Sequence, residues 1–250
     1  MFIFEDVSTI QYAIAILGAS SLGLSKAGFP GFSIINVFLV AELFGAKNSV
    51  GIILPLLIAC DFAVYPLFRK YASWRQVVPL FPPVIAGVVV GWLLLGNINE
   101  LTARRTLGAI VLIMVVLQLI RTYRLDFLAS MPDSRLFHWG SGLGMGIATT
   151  LANAAGPVYG IYGLVRKMTK EEFLGISARL FLFVNLFKVP FNAQLEIITV
   201  ETLKLDLVLL PGVLVGIFAG KHLVSKIPQK AFNHLIVAFT ILAGIRLAVF

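Results

Sequence analysis

Four ionisable residues sit inside otherwise apolar stretches of this chain: Lys26, Asp61, Arg179 and Lys188. A charge at the centre of a membrane helix costs about 2.5–3.5 kcal/mol on the insertion scale, so each should face a partner or a cavity. Lys26 lies in a segment interrupted by Gly and Pro, Ser25-Lys26-Ala27-Gly28-Phe29-Pro30-Gly31. A second interruption, Ala152-Asn153-Ala154-Ala155-Gly156-Pro157, follows in the other half. A helix restarting at either Pro begins with N–H groups that lack intrahelical acceptors and with partial positive charge. Two such ends facing one cavity favour an anion, and the Lys26 ammonium adds to them. The expected substrate-binding residues are therefore Ser25, Lys26, Ala27, Gly28 and Gly31 at the first break. At the second they are Thr150, Asn153, Ala154 and Gly156. Thr149 is a further hydroxyl beside it.

Asn185, Lys188 and Asn192 fall at i, i+3 and i+7, on one helical face. That stripe can line a pathway, and Asn185 and Lys188 join the expected site. Arg179, nine residues before Lys188, points half a turn away and cannot share the face. Asp61 is either a structural counter-ion to one of the cations or a coupling or gating carboxylate. Arg179 is grouped with it as a coupling or gating residue. Tyr159 and Tyr162 are read as packing.

Other chemistries lack their residues. His138, His222 and His234 are scattered and no HExxH occurs, so neither a metal nor a membrane-embedded active site is indicated. Cys60 is alone, which excludes an intramolecular disulfide and a thiolate cluster. There is no G-x-x-x-x-G-K-[ST], so ATP hydrolysis is not expected, and no cofactor is implied.

The elements that must position these residues are membrane helices. Hydrophobic residues make up 59% of the chain and charged residues 13%, with mean hydropathy +0.95. Apolar runs at about 49–68, 77–95, 106–120, 173–193, 207–220 and 231–250 are long enough to span a core of roughly 30 Å. They lack the alternation of a barrel, so the expected class is an all-α integral membrane protein. Met1 to Asp6 carries no basic n-region and does not resemble a cleaved signal peptide. The net charge of +8 resides in short loops, a topology pattern rather than a nucleic-acid surface.

The chain also repeats. Pro30 matches Pro157, Asp61 and Pro66 match Asn185 and Pro190, and Arg121 matches Arg246. Pro82, Gly87 and Gly91 match Pro211, Gly216 and Gly220. The expected division is a first repeat over 1–124, a connecting cytoplasmic loop over 125–138 and a second repeat over 139–250. Each repeat is a broken (re-entrant or double) helix segment followed by three transmembrane helices. Helices over 12–24 and 31–43 would each be roughly 20 Å long, too short to cross alone. A hairpin entering and leaving on one face gives each repeat an odd number of crossings, so the second is inverted.

Loop charge supports this. The hairpin arrangement collects Arg69, Lys70, Arg75, Arg121, Arg124, Arg135, Arg166, Lys167, Lys170, Lys221, Lys226 and Lys230 on one side. Only Lys47, Arg104, Arg105, Lys204 and Arg246 fall on the other. By the positive-inside rule the first side is cytoplasmic and both termini lie outside. Two full crossings by each broken segment would give the same sidedness. The matched patterns Gly87-Val-Val-Val-Gly91 and Gly216-Ile-Phe-Ala-Gly220 indicate close helix contacts, within the chain or between chains of a homodimer.

Gly23-Leu24-Ser25-Lys26-Ala27-Gly28-Phe29 resembles the opening motif of the TauE/SafE sulfite exporter family. Thr149-Thr150-Leu151-Ala152-Asn153-Ala154-Ala155-Gly156-Pro157-Val158, followed by Ile161-Tyr162, resembles its second-half signature. The resemblance implies a multi-pass permease of the cell (inner) membrane that moves sulfite or organosulfonates, usually outward. The expected function is a secondary transporter exporting a small sulfur-containing anion by alternating access around the two breaks. An anion channel, a membrane-embedded enzyme and a non-transporting interaction protein are the alternatives. The expected partners are a small anionic substrate (sulfonate or sulfite), the lipid bilayer and a second copy of the chain, and no nucleic acid.

Overall fold

A computed structural model describes residues 8–26, 32–223 and 229–249. The described residues form helices and connecting turns without strands: α1 (Thr9–Lys26), α2 (Phe32–Phe44), α3 (Ala46–Phe68), α4 (Trp74–Val77), α5 (Phe81–Asn97), α6 (Glu100–Tyr123), α7 (Leu125–Ser130), α8 (Arg135–Ala152), α9 (Gly156–Val165), α10 (Lys170–Gln194), α11 (Val200–Leu223) and α12 (Gln229–Val249). Five helical stretches are long and apolar enough to cross a membrane: Ala46–Tyr71, Trp74–Asn97, Glu100–Tyr123, Lys170–Gln194 and Val200–Gly220. Large apolar side chains on them face outward, among them Leu93, Ile113, Val116, Leu207 and Phe218. In water such a surface would be a liability. Against lipid it is the expected exterior, and the chain is an all-α membrane protein.

Local sequence sets the boundaries. Asn99 caps α6 by accepting from Thr102 N–H at 2.8 Å, and Ser134 caps α8 by accepting from Phe137 N–H at 3.1 Å. Thr169 and Glu172 form a capping box at the start of α10. At the start of α3 the cap comes from elsewhere in the chain, with Glu100 accepting from the N–H groups of Ala46 and Lys47. Helix α8 stops at Asn153, whose φ of 51° and ψ of 31° are left-handed. Asn153 N–H donates to Thr149 O at 3.0 Å and Ala154 N–H to Ala148 O at 3.3 Å, closing the helix end. Pro157 then opens α9.

Two expectations about these elements change. The first arm of each broken segment runs 18 residues, Thr9–Lys26 and Arg135–Ala152, not the 13 expected for 12–24. At 1.5 Å per residue each is roughly 27 Å long, close to a full crossing, because Ser and Gly positions inside α1 are carried by packing rather than propensity. The connecting segment 125–138 is not plain loop: it folds into α7 and the first turn of α8. Leu128 supplies the reason, being buried while the rest of α7 is exposed.

The helices pair across the two halves. α1 packs on α11 and α2, α8 on α5, α10 on α3, and α12 on α6. The α1–α11 and α5–α8 contacts pass through glycines. A Cβ on Gly87 would collide with the backbone of Leu143 and Gly146, and one on Gly216 with the backbone of Ser20. The matched glycines therefore make contacts within the chain. Neighbours give the directions. Gly142 meets Pro83 and Gly91 meets Thr150, so α5 and α8 run parallel; Gly212 meets Ile16 and Gly216 meets Ser20, so α1 and α11 do too. Asp61 meets Asn185 and Gly51 meets Ile197, so α3 and α10 run antiparallel.

Candidate functional site

The ends of α1 and α8 meet the middles of α3 and α10, and polar side chains from all four join in one network. Lys26 Nζ contacts Asp61 Oδ1 at 2.5 Å. Asn185 Nδ2 donates to Asp61 Oδ2 at 2.7 Å. Lys188 Nζ donates to Thr149 O and Asn153 Oδ1, each at 2.8 Å, to Thr149 Oγ1 at 3.2 Å and to Asn185 Oδ1 at 3.4 Å. Asn153 Nδ2 in turn donates to Val50 O at 3.1 Å. Both carboxylate oxygens of Asp61 are thus engaged, and Lys188, fully buried, has an acceptor for each of its hydrogens. With both amines protonated the cluster holds two positive charges and one negative.

The network borders a cavity of about 280 Å³. Its polar lining includes Ser25, Lys26, Asp61, Thr149, Asn153 and Asn185. Gly156 lines it too, and a Cβ there would meet nothing within 4 Å. The first intrahelical bond of α9 is Tyr159 N–H to Ala155 O at 3.0 Å. The Gly156 and Val158 N–H groups precede it, so the positive end of α9 lies at this cavity. The rest of the lining is largely apolar, including Leu22, Leu57, Phe68, Phe173 and Phe181. A chamber lined by both cationic groups and aromatic rings can hold a small amphiphilic anion.

Of the residues expected from sequence, Ser25, Lys26, Asn153, Gly156, Asn185 and Asp61 line this cavity, and Lys188 lies behind it. Others lie elsewhere. Thr150 is buried, its hydroxyl donating to Gly146 O at 2.8 Å and its Cβ packed by Gly91, so it serves the α5–α8 contact. Ala154 is buried in the apolar core beside Ala148 and Ala152. Arg179 is not a cavity residue: its guanidinium donates to Ala72 O at 3.0 Å, Tyr65 OH at 3.2 Å and Arg69 O at 2.6 Å, and stacks on Trp74. It clamps the turn after α3. Ala27, Gly28 and Gly31 lie outside the described residues. Asn192 is buried on the stripe as expected, yet its amide has no hydrogen-bond partner among the described residues.

Sequence reasoning missed Ser33, Arg121 and Ser177, all cavity-lining. Arg121 was assigned to a loop, but α6 continues through it and carries its guanidinium over Gly160 of α9. Its register match with Arg246 was the available signal. Ser33 and Ser177 had none, being ordinary hydroxyls in apolar runs. Tyr159, expected as packing, is buried against Phe173 and Phe181 and also borders the cavity.

Neither the curated proteins nor the solved structures yield a match to this chain. The sequence model described as sulfite exporter TauE/SafE matches residues 12–247, a stretch holding both breaks, the Lys26–Asp61–Asn185–Lys188 network and the cavity. The chain is a multi-pass membrane protein that belongs to the sulfite exporter TauE/SafE family of membrane transporters.

Proposed function

We propose that this protein is a secondary transporter, not an enzyme, that exports a small organosulfonate or sulfite across the cell (inner) membrane by alternating access around its two helix breaks. The observation that carries the reading is the buried network joining both breaks at one cavity. Ionisable groups held inside a membrane protein mark substrate and ion pathways. Lys26 and the start of α9 supply positive potential, and the hydroxyl of Ser25 and amide of Asn153 can donate to an oxyanion. The aromatic wall suits the carbon part of an organosulfonate better than bare sulfite.

The repeats 1–124 and 139–250, joined by 125–138, form two inverted units in this proposal. Supporting it, the register-matched helices α3 and α10 run antiparallel, as do α6 and α12, where Gly108 meets Ala248 and Gly244 meets Leu112. Asp61 and Asn185, matched in register, bond each other where the units meet. Exchange of α1–α11 and α8–α5 contacts between open sides would provide alternating access. Asp61 would be the coupling group, since its neutralisation would release Lys26.

The test is counterflow in proteoliposomes with sulfite, sulfoacetate, taurine, sulfate and a carboxylate control. Saturable, trans-stimulated flux of a sulfonate or sulfite, lost in Lys26→Ala, is the expected result. Non-saturable flux without trans-stimulation would mean a channel, and no flux of any of them would remove the substrate assignment.

A further inference from the structure

Arg121 is the one cavity-lining arginine among the described residues, and no carboxylate lies within ion-pair distance of it there. Its guanidinium makes no hydrogen bond among the described residues either. Its setting is nonetheless built. A Cβ on Gly160 would come within 2.8 Å of the Arg121 Nη1 and 3.2 Å of its Cζ, so the guanidinium occupies room that a glycine leaves. A planar guanidinium presents paired donors matched to two oxygens of an oxyanion.

Its register counterpart behaves differently. Arg246 on α12 contacts Glu42 Oε1 at 2.5 Å, and Arg104 contacts Glu42 Oε2 at 2.5 Å. No carboxylate takes the place of Glu42 beside Arg121 among the described residues. One arginine of the matched pair is neutralised and the other is bare at the cavity. The two matched arginines are then electrostatically unequal.

Building on the transporter reading, we propose that Arg121 is a substrate-contacting residue that binds the oxyanion head group, and that its end of the cavity is where the anion is captured. Ser177 and Ser33 stand on the same cavity with hydroxyls that lack partners among the described residues, and can complete the oxyanion's hydrogen bonds. Gly160 is then a positioning residue, keeping the guanidinium against α9.

Two measurements test this. The first needs no substrate: in a Cys60→Ala, Ser177→Cys background, rates of modification by anionic and cationic methanethiosulfonates are compared. Removing one nearby charge in a partly buried site should lower the anionic-to-cationic rate ratio about tenfold in Arg121→Gln and leave it near the starting value in Arg121→Lys. An unchanged ratio in Arg121→Gln would overturn the proposal. The second uses radiolabelled sulfite flux with methanesulfonate competition. Arg121→Gln should raise KM about tenfold or more with a smaller change in kcat, Gly160→Ala should do so in part, and thermal unfolding should be unchanged. Normal KM in a folded Arg121→Gln protein sinks the proposal even where sulfite flux proves the transporter reading. A wild type without flux but with the charge-dependent thiol ratio would remove the transporter reading and keep Arg121 as the anion-attracting group.

Discussion

At the residue scale, Lys26, Asp61, Asn185 and Lys188 form a chain of bonds that none of them can leave without stranding the next. Lys26→Met leaves Asp61 with one partner, Asn185. Breaking a buried pair costs about 3–5 kcal/mol, reduced here to about 2–3 because Lys26 retains 23% side-chain exposure. The double variant Lys26→Met, Asp61→Asn removes both charges and should recover most of the lost thermal stability while remaining inactive in flux. Recovery of flux would show that the pair is structural alone. Asn153 combines two duties, a left-handed backbone and an acceptor for Lys188. Asn153→Gly keeps the backbone and loses the acceptor; Asn153→Ala loses both, and should unfold lower by about 1 kcal/mol more in a detergent melt.

At the element scale, the contacts of α1 with α11 and α5 with α8 depend on glycines that let backbones touch. Gly87→Ala and Gly216→Ala should each destabilise by about 1–3 kcal/mol, since the new methyl meets backbone that cannot step aside. Gly140→Ala, on the exposed face of α8 with open space around it, should be neutral or stabilising by about 0.5–1 kcal/mol. Equal sensitivity of all three in a melt would contradict the packing described. The matched Gly-x-x-x-Gly patterns were legible in the sequence as helix contacts. Whether they joined helices of one chain or two was not, because the same spacing serves either.

At the scale of the whole molecule, the chain keeps an apolar core, encloses one polar network within it and also presents large apolar side chains outward. The sidedness we propose from loop charge is open to direct test. Cysteines replacing the exposed Arg75 and Lys170 should react with an impermeant thiol reagent only from the cytoplasmic side, and one replacing Lys204 only from outside. Labelling of Arg75→Cys from outside would overturn the orientation. Single-side labelling at all three positions would support the inversion of the second repeat.

The residues by themselves determined the membrane class and displayed two Gly–Pro interruptions in matching register. Hydropathy, Gly–Pro interruptions and register are local properties that survive without a fold. They also marked Lys26, Asp61 and Lys188, because a charge in an apolar run demands an explanation wherever the run goes. Only the tertiary structure decided which partner each charge takes. It paired Lys26 with Asp61, separated Arg179 to clamp a turn, turned Thr150 into packing and brought Arg121 from an assumed loop to the cavity. Those outcomes depend on helix register and crossing across residues more than a hundred positions apart, such as Asp61 and Asn185, and periodicity along one helix carries no information about them.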